Sequence, residues 1–435
     1  AFVLSLIVLT GHPSYPAYIF LFLGFYWVYV VIMTWWHHRS WSAVVRLTGR
    51  FLLMIGLGVG LSAIQLVPSM VMQREISLSG GYSAEIANFL ALQPADLWGF
   101  VVPGVYASAD RQLFFWESVP YLGVLFLFLI PFAFFSQRRR RGLTLFLSLV
   151  ALFALLLAMG DSAGIYPWLQ SVAPVFQILR IPPRALVLWI PAVTLIGGIG
   201  LQTLADQEVA PKWLRIWLGI YLLLAMVMAA VWLVWRLNPA NMIGVIPAEM
   251  SDTLSSGLLL LVMLILIVVF LCRNLAVYGH APFSVVPVIV LVCLDPGFFG
   301  AGHILAATPP QYQAQERVMV EPEELAAHER ILTPQPTNGY MLGEVQHIYG
   351  YNSGNLGRYE QFLGVVAGTI STDFLAGLDA RKLDFLGVGR LISTVELNEQ
   401  LVDRQTIAGD MEETTYHHYR NEDVVPVSYT HLRAH

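Results

Sequence analysis

Apolar runs of bilayer length recur along this chain and leave it few ways to fold. About 20 apolar residues cross the hydrocarbon core of a membrane as a helix. Inside that core every backbone N–H and C=O needs an internal partner, and a single run meets that demand only by coiling into a helix. Runs near 16–36, 51–71, 117–136, 142–160, 183–205, 213–235, 257–272 and 282–304 predict eight whole spans, and residues 1–10 predict a partial one. Hydrophobic residues are 57% and charged residues 12% of the chain, against roughly 45–50% and 25% in soluble domains. The expected fold class is an all-α polytopic membrane bundle at residues 1–306, followed by a small α/β extracytoplasmic domain.

Basic residues orient such a bundle, because Lys and Arg are enriched in cytoplasmic loops. Ten fall in one alternating set of connections: Arg39, Arg46 and Arg50; Arg138 to Arg141; Lys212 and Arg215; and Arg273. Five fall in the other: Arg74, Arg111, Arg180, Arg184 and Arg236. The bias puts the loops 11–15, 72–116, 161–182 and 237–256 outside, with everything after about residue 305. Trp35, Trp36 and Trp41 mark the inner border, and Trp98, Trp116 and Tyr121 the outer one, as an aromatic belt requires. The stretches Phe89–Leu92 and Leu97–Phe100 are too apolar for a solvated loop and are expected to lie along the membrane surface.

From about 307 charges become frequent and apolar runs shorten. Glu323–Arg330 and Tyr359–Val366 read as short helices, and Arg390–Val395 as a strand after the segment Leu383–Gly389. The domain is expected to cover 307–426, cut short, with 427–435 a non-native tail. Ala1 stands inside an apolar run, so the chain reads as a fragment lacking N-terminal spans. Cys272 and Cys293 both lie in apolar segments and support neither a disulfide framework nor a metal site. His37-His38 and His417-His418 lack a third ligand at metal spacing. The net charge of −5, with no long basic tract, gives no sign of a nucleic-acid partner.

Signatures of common chemistries are missing: there is no phosphate-binding glycine loop ending in Gly-Lys-Ser/Thr, no dinucleotide fingerprint, no His-Glu-x-x-His and no nucleophile elbow. Ionisable residues inside the spans are scarce, Asp295 being the main one, which counts against ion-coupled transport. Polar residues collect instead on the outer rim. Arg180 and Arg184 bracket Pro182-Pro183 where a loop becomes an apolar run. Proline pushes Ile181 towards extended backbone, and Pro183 can open a helix with Arg184 in its first turn. A helix N-terminus favours anions, and two guanidiniums able to grip phosphate bidentately would complete an anion site. The alternative is that both arginines reach out to lipid headgroups. His12, in Gly11-His12-Pro13, is either a phosphate donor or acid/base group or a polar turn residue beside a helix break. Asp96, Asp110, Arg111 and Glu117 form a second rim group, whose carboxylates are either reactive or simply solvated. Asp161, after Met159-Gly160, reads as a helix stop.

In this order the motifs resemble those of bacterial YfhO-type membrane proteins. Leu9-Thr10-Gly11-His12-Pro13, Gln65-Leu66-Val67-Pro68, Pro103-Gly104, Pro120-Tyr121-Leu122-Gly123, Met159-Gly160 and the segment Ala173–Arg184 follow the family's membrane part. Gly350-Tyr351-Asn352, Arg358-Tyr359, Leu383–Val388 and Tyr419-Arg420-Asn421 follow its outer domain. Ser14 departs from the family's Gln after the histidine motif, and Pro183 is an additional proline.

The family is similar to polytopic glycosyltransferases of the GT-C type. The resemblance implies a bacterial plasma-membrane enzyme, multi-pass, with its C-terminal domain outside the cytoplasm. Such an enzyme moves a sugar from a polyprenyl-phosphate donor to a cell-envelope polymer or glycolipid on the outer face. Arg180 and Arg184 would bind the donor phosphate, with His12, Asp96, Arg111 and Glu117 as further rim candidates. The family's catalytic carboxylate would lie in a loop before Ala1. No cofactor is identified, and a divalent metal is possible in principle without support from these residues. A transporter or flippase of lipid-linked precursors, or a non-catalytic envelope subunit, would use the same rim without bond cleavage.

Overall fold

The computed structural model describes residues 1–76, 87–102, 117, 121–173, 176, 179–237, 248–301, 330–332, 346–348, 357–363, 380–393, 403–407 and 416–421. It is mostly helical, at 79%, and the chain divides into two compact units, residues 1–66 with 81–304 and residues 67–80 with 305–435.

The first unit is a helical bundle. It contains α1 (Phe2–Leu9), α2 (Ser14–His38), α3 (Trp41–Leu61), the start of α4 (Ala63–Met72), α5 (Val124–Ala133), α6 (Arg138–Ala158) and α7 (Ile165–Val172). It continues through α8 (Leu186–Ala205), α9 (Pro211–Leu237), α10 (Ala248–Tyr278) and α11 (Pro282–Ala301). Among the described residues six helices are long and apolar enough to cross a membrane: Ser14–His38, Trp41–Leu61, Arg140–Ala158, Pro182–Ala205, Pro211–Val234 and Gly257–Tyr278.

The eight expected spans are not all confirmed, and the differences have local causes. The run expected at 117–136 yields ten residues of helix, ~15 Å at 1.5 Å per residue, about half the hydrocarbon thickness. Its N-terminus is set by Gly123 at φ 86°. The run at 282–304 forms one helix, Pro282–Ala301, with Pro287 and Pro296 inside it. The run at 51–71 breaks at Ser62, whose Oγ donates to the Gly58 carbonyl at 2.8 Å. The spanning helix there starts at Trp41 because Arg46 and Arg50 ride exposed on its surface, where long stems can snorkel to the interface.

Burial shows which helices form the centre. Half of the apolar window of Pro182–Ala205 is buried and 44% of that of Gly257–Tyr278, against 6% of α2. Helix α8 packs against α5 and α6, and glycines set the approach. A Cβ on Gly200 would stand 2.1 Å from the Leu129 carbonyl oxygen, and one on Gly197 would stand 3.0 Å from that of Phe126. Small residues let backbones meet where lipid supplies no hydrophobic drive between helices. The short helix α5 is capped from another element. The Asp295 carboxylate on α11 accepts from Val124 N at 2.9 Å and from Tyr121 Oη at 2.6 Å, so the one carboxylate prominent within the apolar runs serves a helix N-terminus.

The connections sort to two ends. At one, Arg140 pairs with Asp206 at 3.1 Å, Gln137 N donates to Glu208 at 3.0 Å, and His280 meets Asp206 at 2.9 Å. These contacts hold the Asp206 carboxyl down at about 2, His280 contributing most. At the other end, Asn88 and Asp161, Tyr121 and Asp295, and Glu117 and Arg184 meet.

Part of the 72–116 loop packs inwards. Leu92 and Phe100 are buried, Leu92 N donates to the Ala158 carbonyl at 2.8 Å, and the Phe100 ring lies 4.8 Å from that of Trp189. Phe89, Leu97 and Trp98 stay exposed, so the segment is two-faced.

The second unit holds a five-stranded mixed sheet of β1 (Arg330–Leu332), β2 (Gln346–His347), β3 (Val388–Ser393), β4 (Asp403–Ile407) and β5 (Tyr416–Arg420), in the order β2-β1-β3-β5-β4. Strand β1 runs parallel to β2 and β3, while β5 is antiparallel to β3 and β4. Leu332, Leu383, Leu386, Val388, Leu391 and Tyr419 build its core with α12 (Gly357–Leu363) and α13 (Ala380–Leu386). Of the helix expected at Glu323–Arg330 only Arg330 is described, and it opens β1; residues 323–329 lie outside the described residues. The helix expected at Tyr359–Val366 begins at Gly357, and the strand expected at Arg390–Val395 begins at Val388 because Gly387 turns the chain at φ 70°.

Gly200→Ala is expected to destabilise the bundle by about 1–3 kcal/mol, because the methyl meets backbone that cannot step aside. Gly198→Ala, with nothing within 4 Å, is expected to be neutral or slightly stabilising by helix propensity. Thermal unfolding of the two variants in detergent checks the contrast.

Candidate functional site

The turn at Pro182 builds the site. Ile181 has φ 60° and ψ 77°, left-handed where extended backbone was expected. Proline removes the α-helical option for its predecessor, and Ile181 N donates to the Ala87 carbonyl at 3.1 Å, which holds the residue in place. A β-branched residue at positive φ costs on the order of 1–3 kcal/mol and is kept only where its surroundings over-determine it. Pro182–Ala185 then form a 3-10 turn, closed by Arg184 N donating to the Ile181 carbonyl at 3.0 Å, before α8 begins at Leu186. The neighbouring segments are stitched to it. Asp161 N donates to Asn88 Oδ1 at 3.1 Å, and Tyr166 Oη donates to the Leu179 carbonyl at 3.0 Å. Gly160, at φ 54°, sits so close that a Cβ would meet Asn88 Oδ1 at 2.6 Å and Ala91 Cβ at 2.8 Å. Asp161 itself lies in the turn after α6, as a helix stop would.

Arg184 is turned inwards. Its side chain is 7% exposed and that of Glu117 is 10%. Nε donates to Glu117 Oε2 at 2.8 Å and Nη2 donates to Oε1, a two-point grip. The headgroup-anchor reading therefore does not describe Arg184, which is spent inside the protein rather than on lipid. Arg180 is half-buried on the irregular backbone before the turn.

His12 lies on the short connection between α1 and α2, and its ring is 4.9 Å from that of Tyr15. Burial lowers its pKa from 6.5, and the charges of Arg184 and Arg180 lower it further against the opposing pull of Glu117. The imidazole is thus neutral at neutral pH, and its buried Nδ1 has no hydrogen-bond partner among the described residues. One turn into α2, Tyr18 is 1% exposed. Its hydroxyl also has no partner among the described residues, and it lies within electrostatic range of Arg184. Helix α2 packs on the Pro182–Ala185 turn, which brings the two groups together.

The structure thus gathers His12, Glu117, Arg180 and Arg184. Asp96 is occupied elsewhere: it is buried, and its Oδ2 accepts from Gln93 N at 2.6 Å as part of a capping box on the turn Pro94–Phe100. Asp110 and Arg111 lie outside the described residues. Among the described residues no group of three or more His, Cys, Asp or Glu could hold a metal ion. Sequence reasoning missed Tyr15 and Tyr18, although their spacing of three on one helix, directly after the histidine, places them on one face.

Among the described residues the site holds the Arg184–Glu117 pair, the Arg180 guanidinium, a neutral imidazole and a hydroxyl with no partner among those residues. That set suits an anion with several acceptor oxygens. Comparison with family models, with curated proteins and with solved structures returned no match.

Removing one partner of a buried ion pair strands the other and typically costs about 3–5 kcal/mol, whereas replacing both can be nearly neutral. Glu117→Gln alone is expected to destabilise the protein severely, and Glu117→Gln with Arg184→Met to recover most of the loss. A double-mutant cycle by thermal unfolding measures this. For His12, the unfolded chain binds protons more readily than the folded one below its ordinary value of 6.5, so stability falls as pH drops through that value. The fall between pH 7.5 and 5.5 is expected to be smaller in His12→Gln.

Proposed function

We propose that this protein is a membrane glycosyltransferase that draws a sugar from a polyprenyl-phosphate donor and passes it to a cell-envelope acceptor on the outer face. The observation that carries the reading is the cluster at the Pro182 turn, where Arg180 and Arg184 gather with His12 Nδ1 and the Tyr18 hydroxyl, neither of which has a hydrogen-bond partner among the described residues. Supporting it are the family resemblance of the motifs and the apolar helices, against which a polyprenyl tail would lie.

In this reading the phosphate head enters the rim beside Glu117. The carboxylate takes Nε–H and one Nη2–H of Arg184, so the N–H groups on Nη1 and on the other side of Nη2 remain for phosphate oxygens. Glu117 fixes the plane of the guanidinium and Arg180 supplies a second charge. The acceptor hydroxyl attacks the anomeric carbon, the bond from that carbon to the phosphate oxygen breaks, the electron pair leaves with the polyprenyl phosphate, and the hydroxyl's proton passes to that departing phosphate. Donors fixed where that charge develops lower the barrier without reorganising. His12, neutral at neutral pH, can donate to or accept from the same oxygens.

The test is sugar transfer by the native protein in lipid nanodiscs, comparing wild type with the Glu117→Gln, Arg184→Met pair that preserves the fold. Turnover is expected to fall by about 10²-fold or more. Turnover within a factor of about two would overturn the phosphate role. Binding of the donor without any transfer by wild type would favour a carrier of lipid-linked precursors instead.

A further inference from the structure

Two phenylalanines of the second unit stand exposed side by side. Phe385 on α13 is 75% exposed and Phe362 on α12 is 39% exposed, with ring centroids 5.7 Å apart. Leu363, Leu383 and Leu386 of the same two helices are buried against the sheet, so these helices have a core face and a separate aromatic face. Basic groups flank the rings: the Lys382 ammonium lies 5.8 Å from the Phe362 centroid, and the Arg358 side chain is 86% exposed. Exposed aromatics ringed by Lys and Arg are the composition of surfaces that settle at the headgroup boundary.

The position of this face within its unit agrees with its composition. Gly357 N donates to the Glu75 carbonyl at 2.8 Å, and Arg358 Nη2 donates to Glu75 Oε2 at 2.9 Å. Glu75 follows the end of α4 by three residues, and Val67, Met70, Val71 and Met72 of that helix are all exposed. An apolar turn of this kind belongs in lipid. Because it is part of the same compact unit as α12 and α13, the ties to Glu75 hold the two rings close to where the chain leaves the hydrocarbon. Glu75, Arg358, Tyr359, Phe362, Phe385 and Leu386 border a shallow depression of about 520 Å³, and an acyl chain can settle against the ring pair.

We propose that this face is an interfacial anchor, with Phe362 and Phe385 bedded among phospholipid acyl chains and Lys382 and Arg358 against the phosphates. The bilayer surface is its partner.

The test uses the full chain in nanodiscs with Cys293→Ser, leaving the buried Cys272 in place. A bimane label is attached at Phe385→Cys or at the control Arg420→Cys, an exposed position on β5. Brominated phospholipid is expected to reduce emission at 385 about twofold while aqueous iodide has little effect, with the opposite pattern at 420. Phe362→Ser on the same background is expected to weaken the bromolipid effect at 385. Iodide quenching at 385 as strong as at 420, without bromolipid quenching, would overturn the anchor. So would protection at 385 that arises only when two copies share a disc, which would make a second copy the occupant.

Discussion

A guanidinium and a carboxylate, both almost withdrawn from water, face each other where Pro182 ends a loop and the central helix begins. Much of the geometry around that point serves to keep them there. Arg184 leaves a tight 3-10 turn, the turn starts from a left-handed isoleucine, and the isoleucine is fixed by the carbonyl of Ala87. Gly160 leaves room for Asn88, which in turn receives the amide of Asp161. A buried pair of this kind adds little net stability against an apolar pair of the same shape. What it provides is specificity of position, since neither partner can be moved without leaving the other stranded in low dielectric.

The second constraint is the bilayer's demand that polar backbone be satisfied internally. It explains why Asp295 reaches across to the start of α5, a helix of about half the usual span, and why Ser62 bonds back to Gly58 where α3 gives way to α4. It also explains the glycines of α8, which bring α5 close enough for its backbone to be shielded. Polar groups within the membrane part are therefore mostly engaged. Among the described residues His12 Nδ1 and the Tyr18 hydroxyl, like Ser136 Oγ and Glu208 Oε1 elsewhere, are buried without a hydrogen-bond partner, and the first two lie beside Arg184.

The broad architecture was legible in the sequence because it follows from local pattern: apolar length marks the helices, and alternation of basic residues sorts their ends. The errors came where length was trusted over punctuation. Gly123 and Ser62 each shorten or divide a run that hydropathy alone reads as continuous. The site was partly legible. Arg180, Arg184, His12 and Glu117 could be nominated as polar residues on one rim, but Glu117 and Arg184 are 67 residues apart, and no local rule pairs them. Asp96 illustrates the reverse: a rim carboxylate by sequence, it follows Gln93 by three residues and closes its own turn.

In the glycosyltransferase reading, the rim acts through charge held in place: Glu117 aims Arg184, Arg180 adds to the field, and a neutral His12 adds no competing cation. The central claim is that this rim recognises the phosphate of a long-chain lipid, and native mass spectrometry of the protein released from nanodiscs addresses it most directly. Polyprenyl phosphate and the uncharged polyprenol differ only in the head. The account predicts that the phosphate binds at least about tenfold more tightly, a difference of about 1.4 kcal/mol, and that the preference disappears when Glu117 and Arg184 are replaced together. Equal affinity for the two lipids, or a preference that survives the paired replacement, would contradict it.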